Sequence, residues 1–525
     1  MIDPGELILS GLPAGVPDRD TRRLVAIAGF AGHLLLRRNV ATPEALARLV
    51  LRLDPHDGPP PIIAIDEEGG RVSRLDHVGF EAPSAMALAA AGQASLTTEA
   101  ARLSGRFLRA IGINVVLGPC LDVLSEPWNP VIACRAFGET AGEVVEHGLA
   151  AMAGYRSVGL GTVAKHFPGH GATRQDSHVA RPVIEAALDT LRRRDLVPFA
   201  AALRDGAAAV MSAHVRYPHA TPAPDADVPA TLSSFWLGQV LRTELGFTGV
   251  VLSDALEMEG VLGGRELGAV VGSGLAAGVD LFVCEDLENA MRARDALLAL
   301  AARDAAAAAG MAAAIGRVRA WRARLVRGVS GEDPMHVLDR VAGPLAAMPR
   351  QAIARAGGPH DGLPLDPGRG LLFVVPRELG TSQTLDLDRL GRALAARFPA
   401  GRVVALEPRA SAGEPELLAG LVAAEPGIQV ALGLLGPGAA SRWPALAAAL
   451  GTAGGRVAAA LDRPVDVTLL PEGWTRLVTY GFGPPTFEAL LDVLCGRLAP
   501  VGRCLGLGAA GPGPTDAGRR TVEGG

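Results

Sequence analysis

The sequence predicts an α/β protein: a (β/α)8 TIM-like barrel followed by a smaller Rossmann-like α/β sandwich. Three observations lead there. Eight short apolar runs alternate with longer amphipathic segments over the first ~290 residues, the length such a barrel needs. Several of these runs stop on a residue able to bind or catalyse, as the working ends of barrel strands do. After a Pro/Gly-rich interruption the alternation of short apolar runs and helical segments begins again.

The eight runs, in order, are ELILSG around Leu7, AGHLLL ending at Leu36, PIIAID ending at Asp66, INVVLGP from Ile113, GTVAKH ending at His166, AAAVMSAH ending at His214, GVVLSD ending at Asp254 and VDLFVCED from Val279. Between them, segments such as TPEALARLVLRL and TEAARLSGRFLRAI carry apolar residues at helical spacing, so each strand is followed by a covering helix. The barrel is expected over residues 1–327 and a linker containing one helix over 328–368. Residues 369–510, with the runs LLFVVP, RVVALEP, IQVALGLLG, RVAAAL and RLVTYG, read as the sandwich. No convergent acid/base pair marks this second domain, so a stabilising or interface role is expected for it. The tail 511–525 lacks apolar periodicity and is expected to be disordered.

The 525 residues are 49% hydrophobic and 20% charged, ordinary for a globular protein. A formal net charge of −5 argues against a nucleic-acid partner. The N-terminus MIDPGELILSGLPAGVPDRD has no basic stretch leading into a long apolar run. Neither a signal peptide nor a membrane anchor is expected, and a cytoplasmic location follows. Five cysteines without CxxC spacing read as free thiols. GLGAAG, from Gly506 to Gly511, runs into a Pro/Gly tail instead of opening a helix, so it is no nucleotide fingerprint. Oligomeric state is left open.

Lys165 is the one lysine among 50 basic residues. It opens the densest histidine cluster in the chain, KHFPGHGATRQDSH. An ammonium kept where every other cation is a guanidinium marks a place for a compact three-donor charge. Metal binding is the first reading of the cluster, but Pro168, Gly169 and Gly171 oppose the helix that would align His166 with His170, and no metal or cofactor is expected. The second reading is acid/base chemistry: Asp176 can orient one ring nitrogen of His178 and leave the other for a substrate. An Asp-Ser-His surface turn is the alternative. Asp254, closing the seventh run, can serve as a nucleophile, while Asp66, Arg74, Arg135, Lys165 and His166 offer donors and acceptors for sugar hydroxyls. Only one of Asp66, Glu67 and Glu68 is expected to face the substrate. His170 and His214 are expected to be structural.

The motifs IDEEGGRVSRL, GINVVLGPCLDV, CRAFGE, VAKHFPGHGATRQDSH, AHVRYP and GFTGVVLSDALEMEG, in this order, resemble glycoside hydrolase family 3, in its β-N-acetylhexosaminidase (β-N-acetylglucosaminidase) branch. The resemblance implies Asp254 as nucleophile, His178 as general acid/base, Asp176 as its partner, and sugar contacts from Asp66, Arg74, Arg135, Lys165 and His166. It implies a retaining exo-hydrolase of terminal β-linked N-acetylhexosamine, from muropeptide or chitooligosaccharide substrates, working without a cofactor. Ala255 stands where many relatives carry a second Asp. A phosphorylase or β-glucosidase of the same fold, and a binding protein with a decayed site, are the alternatives. Pro168 and the glycines of the cluster are expected to act as turn and hinge for the loop bearing His178.

Overall fold

The computed structural model describes residues 3–15, 18–54, 58–176, 180–377, 385–407, 413–435 and 442–508. Each of the eight expected runs forms a strand: β1 (Ile8–Gly11), β2 (Gly32–Leu35), β3 (Ile62–Ile65), β4 (Val115–Val116), β5 (Gly161–Phe167), β6 (Ala209–Ser212), β7 (Val250–Ala255) and β8 (Leu281–Cys284). They pair in sequence order, all parallel, and β1 closes on β8 through Leu9 and Val283. Nearly every strand residue is buried, because a barrel strand faces packed side chains inside and helices outside.

Helices between the strands begin on the expected signals. Thr42 caps Pro43–Leu53 by accepting from the Ala45 N–H, and Thr140 and Glu143 form a reciprocal capping box at Ala141–Arg156.

The second sheet has six strands in the order β11-β10-β12-β13-β14-β9: β10 (Leu371–Pro376), β11 (Arg402–Leu406), β12 (Gln429–Leu434), β13 (Gly455–Ala460), β14 (Thr475–Val478) and β9 (Ala354–Gly357). Five are parallel and β9 runs antiparallel to β14. Alternate residues of β10 serve two cores. Leu372 and Val374 join the apolar cluster that continues from the barrel, while Leu371, Phe373 and Val375 pack with Leu390, Phe487 and Leu491 on the other face.

Strand β9 corrects one expectation. It lies inside the segment read as a linker with a single helix, which also holds the helix Pro334–Ala347. The residues Ala-Arg-Ala-Gly have little intrinsic strand preference. Pairing Ala354 with Val478 and Arg355 with Leu477 makes them a strand. Residues 511–525, expected to be a disordered tail, lie outside the described residues. Among the described residues no helix is long and apolar enough to cross a membrane.

Candidate active site

The C-terminal ends of β3, β4, β5, β6 and β7 converge on a network of buried charge. Lys165, 2% exposed, places Nζ 2.8 Å from Asp66 Oδ1 and 2.6 Å from Glu68 Oε1. Burial alone would push the ammonium down, but the two carboxylates outweigh it and raise it above its usual value. Arg135, from the loop after β4, makes a fork on Glu68 with Nε and Nη2 at 2.9 Å each. Burial would raise Glu68, yet Arg135 and Lys165 hold it well below the usual carboxylate range. Arg74 Nη2 approaches Asp66 Oδ2 to 3.7 Å. Asp66, Arg74, Arg135, Lys165 and His166, taken from three segments of the chain, thus meet at one place.

The three consecutive acids divide as their surroundings dictate. The Asp66 side chain retains 20% exposure and Glu68 only 5%. Glu67 turns into the protein, accepting from Ser73 Oγ at 2.9 Å and from the Arg74 N–H at 2.8 Å. Burial raises Glu67 to about 8. One residue apart, Glu67 and Glu68 shift in opposite directions because burial outweighs the more modest pull of Arg74 on Glu67, whereas Arg135 and Lys165 both bind Glu68 directly.

Two members of the network were not singled out from sequence. Glu68 is one, and Asp122 is the other. Asp122 is fully buried and accepts from His166 Nδ1 at 2.6 Å, from the His170 N–H at 2.6 Å and from the Cys120 thiol at 3.1 Å. Burial opposes its ionisation, but His166 and His170 hold it well below the usual range. His166 Nδ1 faces Asp122 and Nε2 lies 3.1 Å from Arg135 Nη2, so the ring orientation is set from both sides. Asp122 is the first charged residue after the fourth run, and that is the signal in the sequence that could have found it.

Cys120, Asp122 and His166 bring possible metal-ligand atoms within 4.8 Å of one another. Burial pushes the Cys120 thiol well up, and thiol and imidazole both donate to the one carboxylate. The array is satisfied as hydrogen bonds among its own members.

Asp254 lies next to the end of β7, and Ala255 donates its N–H to Oδ1 at 2.8 Å. Burial would raise this carboxyl, but His166, His214, that N–H and Lys165 lower it below its ordinary value. His214, at the end of β6, binds Thr231 Oγ1 through Nδ1 at 2.8 Å and donates from Nε2 to the Ala255 carbonyl at 3.0 Å. It braces the backbone beside Asp254, in line with the structural role expected. His170 is equally buried, with Nδ1 3.0 Å from Thr173 Oγ1.

The loop after β5 departs from the hinge expected of it. Gly171 sits so close to Val123 that a Cβ would fall 1.8 Å from the Val123 carbonyl oxygen. Gly169, at φ +129, offers its carbonyl to Tyr217 OH at 2.7 Å. With His170 and Thr173 buried beside them, these glycines allow close packing of a fixed pedestal. Beyond it the chain emerges at Arg174, and Asp176 is partly exposed. Ser177, His178 and Val179 lie outside the described residues, and so does the pairing of Asp176 with His178. The Ala180 N–H donates to the Asp176 carbonyl at 2.9 Å.

A closed parallel barrel whose strand ends gather one ammonium, two guanidinium groups and several carboxylates has the architecture of a barrel enzyme. Residues 6–319 match the model of the glycosyl hydrolase family 3 N terminal domain. The chain is a glycoside hydrolase and belongs to family 3. It is 37% identical over 287 residues to a β-hexosaminidase of Idiomarina loihiensis, covering 53% of this chain and 83% of that protein. A β-hexosaminidase of Xylella fastidiosa is 36% identical over 323 residues, 59% of this chain and 91% of that one. In structure the chain is similar to a family 3 β-N-acetylglucosaminidase from Paenibacillus sp. str. FPU-7, with a TM-score of 0.86 and 31% identity over 96% of this chain and 98% of that one.

Proposed function

We propose that the protein is a retaining, exo-acting β-N-acetylglucosaminidase that releases terminal β-linked N-acetylhexosamine from muropeptide or chitooligosaccharide substrates. The observation that carries this reading is Asp254: a carboxylate beside a barrel strand end, kept ionised by His166, Lys165 and the Ala255 N–H. The likeness in sequence to β-hexosaminidases and in structure to a β-N-acetylglucosaminidase supports the choice of substrate.

In the first step Asp254 attacks C1 while protonated His178 gives its proton to the leaving oxygen, so the glycosidic bond breaks as the glycosyl-enzyme bond forms. In the second, neutral His178 takes a proton from water as that water attacks C1 and frees Asp254. Asp176 orients the His178 ring. Asp66, Arg74, Arg135 and Lys165 bind the sugar hydroxyls, and His166, held between Asp122 and Arg135, lines the same pocket.

Turnover of an aryl β-N-acetylglucosaminide against the matching β-glucoside tests the substrate. Asp254→Ala is expected to lower kcat by on the order of 10⁴-fold or more, and unchanged turnover in that variant overturns the reading. His178→Ala is expected to cost about 10²–10⁴-fold, least with an activated aryl leaving group. A second reading is phosphorolysis. His178 as base carries no negative charge to repel inorganic phosphate from the glycosyl-enzyme. Sugar 1-phosphate formed on adding phosphate would decide for it.

A further inference from the structure

One carboxylate of the second domain grips two barrel loops beside the residues read as sugar contacts. Asp462 follows β13, is 4% exposed, and uses its two oxygens on two different barrel loops. Oδ2 accepts from Arg71 Nη1 at 2.8 Å, three residues before Arg74. Oδ1 accepts from the Cys134 thiol at 3.0 Å, one residue before Arg135. Arg71 Nη1 also donates to the Pro130 carbonyl at 3.1 Å, which ties the two loops to each other at the point where Asp462 grips both. The neighbouring Arg463 guanidinium stacks over Trp128 of the second loop at 5.6 Å from the ring centre.

The backbone here needs holding. Ala133, beside Cys134, has φ +43, a left-handed conformation that a residue with a Cβ adopts only where its surroundings impose it. Burial pushes the Cys134 thiol well up, so it stays a protonated donor to Asp462.

We infer that Asp462 is a positioning residue: through Arg71 and Cys134 it sets the spacing of Arg74 and Arg135, so the second domain fixes the geometry of the barrel's sugar pocket. This rests on the reading of Arg74 and Arg135 as sugar contacts.

The test uses the full chain, steady-state kinetics on an aryl β-N-acetylglucosaminide, and thermal unfolding. Asp462→Ala is expected to lower kcat/KM by about 10–100-fold, chiefly through KM, as a loop displacement of about 1 Å does. Asp462→Asn keeps an acceptor for Arg71 and is expected to return to within a few-fold of wild type. The control is Asp492→Ala. Asp492 is another buried carboxylate of the second domain, bound to Arg350 and Arg397 at 2.7 and 2.6 Å, with no barrel loop among these partners. It is expected to lower Tm while leaving kcat/KM unchanged.

Equal losses of kcat/KM in the two alanine variants, or wild-type kinetics in Asp462→Ala, overturn the inference. If Asp462→Ala does not fold, Arg71→Ala carries the test. It is expected to raise KM, and an unchanged KM overturns the inference. Arg74→Ala separates the two levels. If it leaves KM unchanged, the reading of the pocket falls and the inference with it. If it raises KM while Asp462→Ala does not, the inference alone falls.

Discussion

Buried carboxylates with basic partners stand at both ends of the barrel, and they are built differently. At the N-terminal end, Asp280 enters β8 with both oxygens saturated. Arg317 donates to Oδ1 from Nε and Nη2 at 2.9 and 2.7 Å, and Arg242 Nη2 and the Val251 N–H donate to Oδ2 at 2.6 and 2.8 Å. At the C-terminal end, Lys165 bridges Asp66 and Glu68, Arg135 forks onto Glu68, and Asp122 holds His166. That network ends in an edge: Asp66 and Arg74 stand 3.7 Å apart with 20% and 25% of their side chains exposed. A charge cluster closed on itself stabilises a fold. One that leaves acceptors and donors at an opening has capacity for a ligand.

The largest effect expected from this comparison is on stability. Asp280→Ala leaves Arg242 and Arg317 without their shared partner and should cost about 3 kcal/mol in urea denaturation, with kcat/KM unchanged wherever the protein is folded. A loss of kcat/KM in the folded variant would erase the distinction between the two ends.

Asp122→Asn makes the converse change. Its amide would face the His166 Nδ1–H donor to donor and turn the ring away from Arg135, lowering kcat/KM by roughly 10–100-fold. If kinetics stay at the wild-type level, the Asp122–His166 pair belongs with Asp280 as a structural cluster.

Glu67 gives the smallest effect and sharpens the boundary. Its carboxyl is raised from 4.5 to about 8 by burial, so the folded state holds a proton that the unfolded chain releases. Stability from this group is full below the unfolded value and falls as pH rises through the window up to about 8. Glu67→Gln removes the titration. The difference in Tm between variant and wild type should therefore grow from pH 5 to pH 8. A constant difference would mean that Glu67 is ionised, like Glu68.

Much of this was legible along the chain. The barrel strands were, because a strand buried on both faces needs a continuous apolar run. Asp66, His166, His214 and Asp254 were, because barrel strands end where their apolar runs do. The single lysine marks the middle of the charge network by residue type alone. Strand β9 was not legible, since its pairing with β14 and not its composition makes it a strand. The glycines of the β5 loop suggest freedom along the sequence and provide clearance in the fold, because only the structure shows the Val123 backbone against Gly171.

By itself the sequence determined which residues close the barrel strands and what chemistry each can offer, properties carried by local periodicity and residue type. Tertiary structure decided their partners. Asp122 lies 44 residues from His166, Glu68 lies 67 from Arg135, and Asp462 lies 391 from Arg71. Whether a carboxylate is ionised, protonated or a brace depends on which groups lie within a few ångströms and how much water remains, and no local pattern records either.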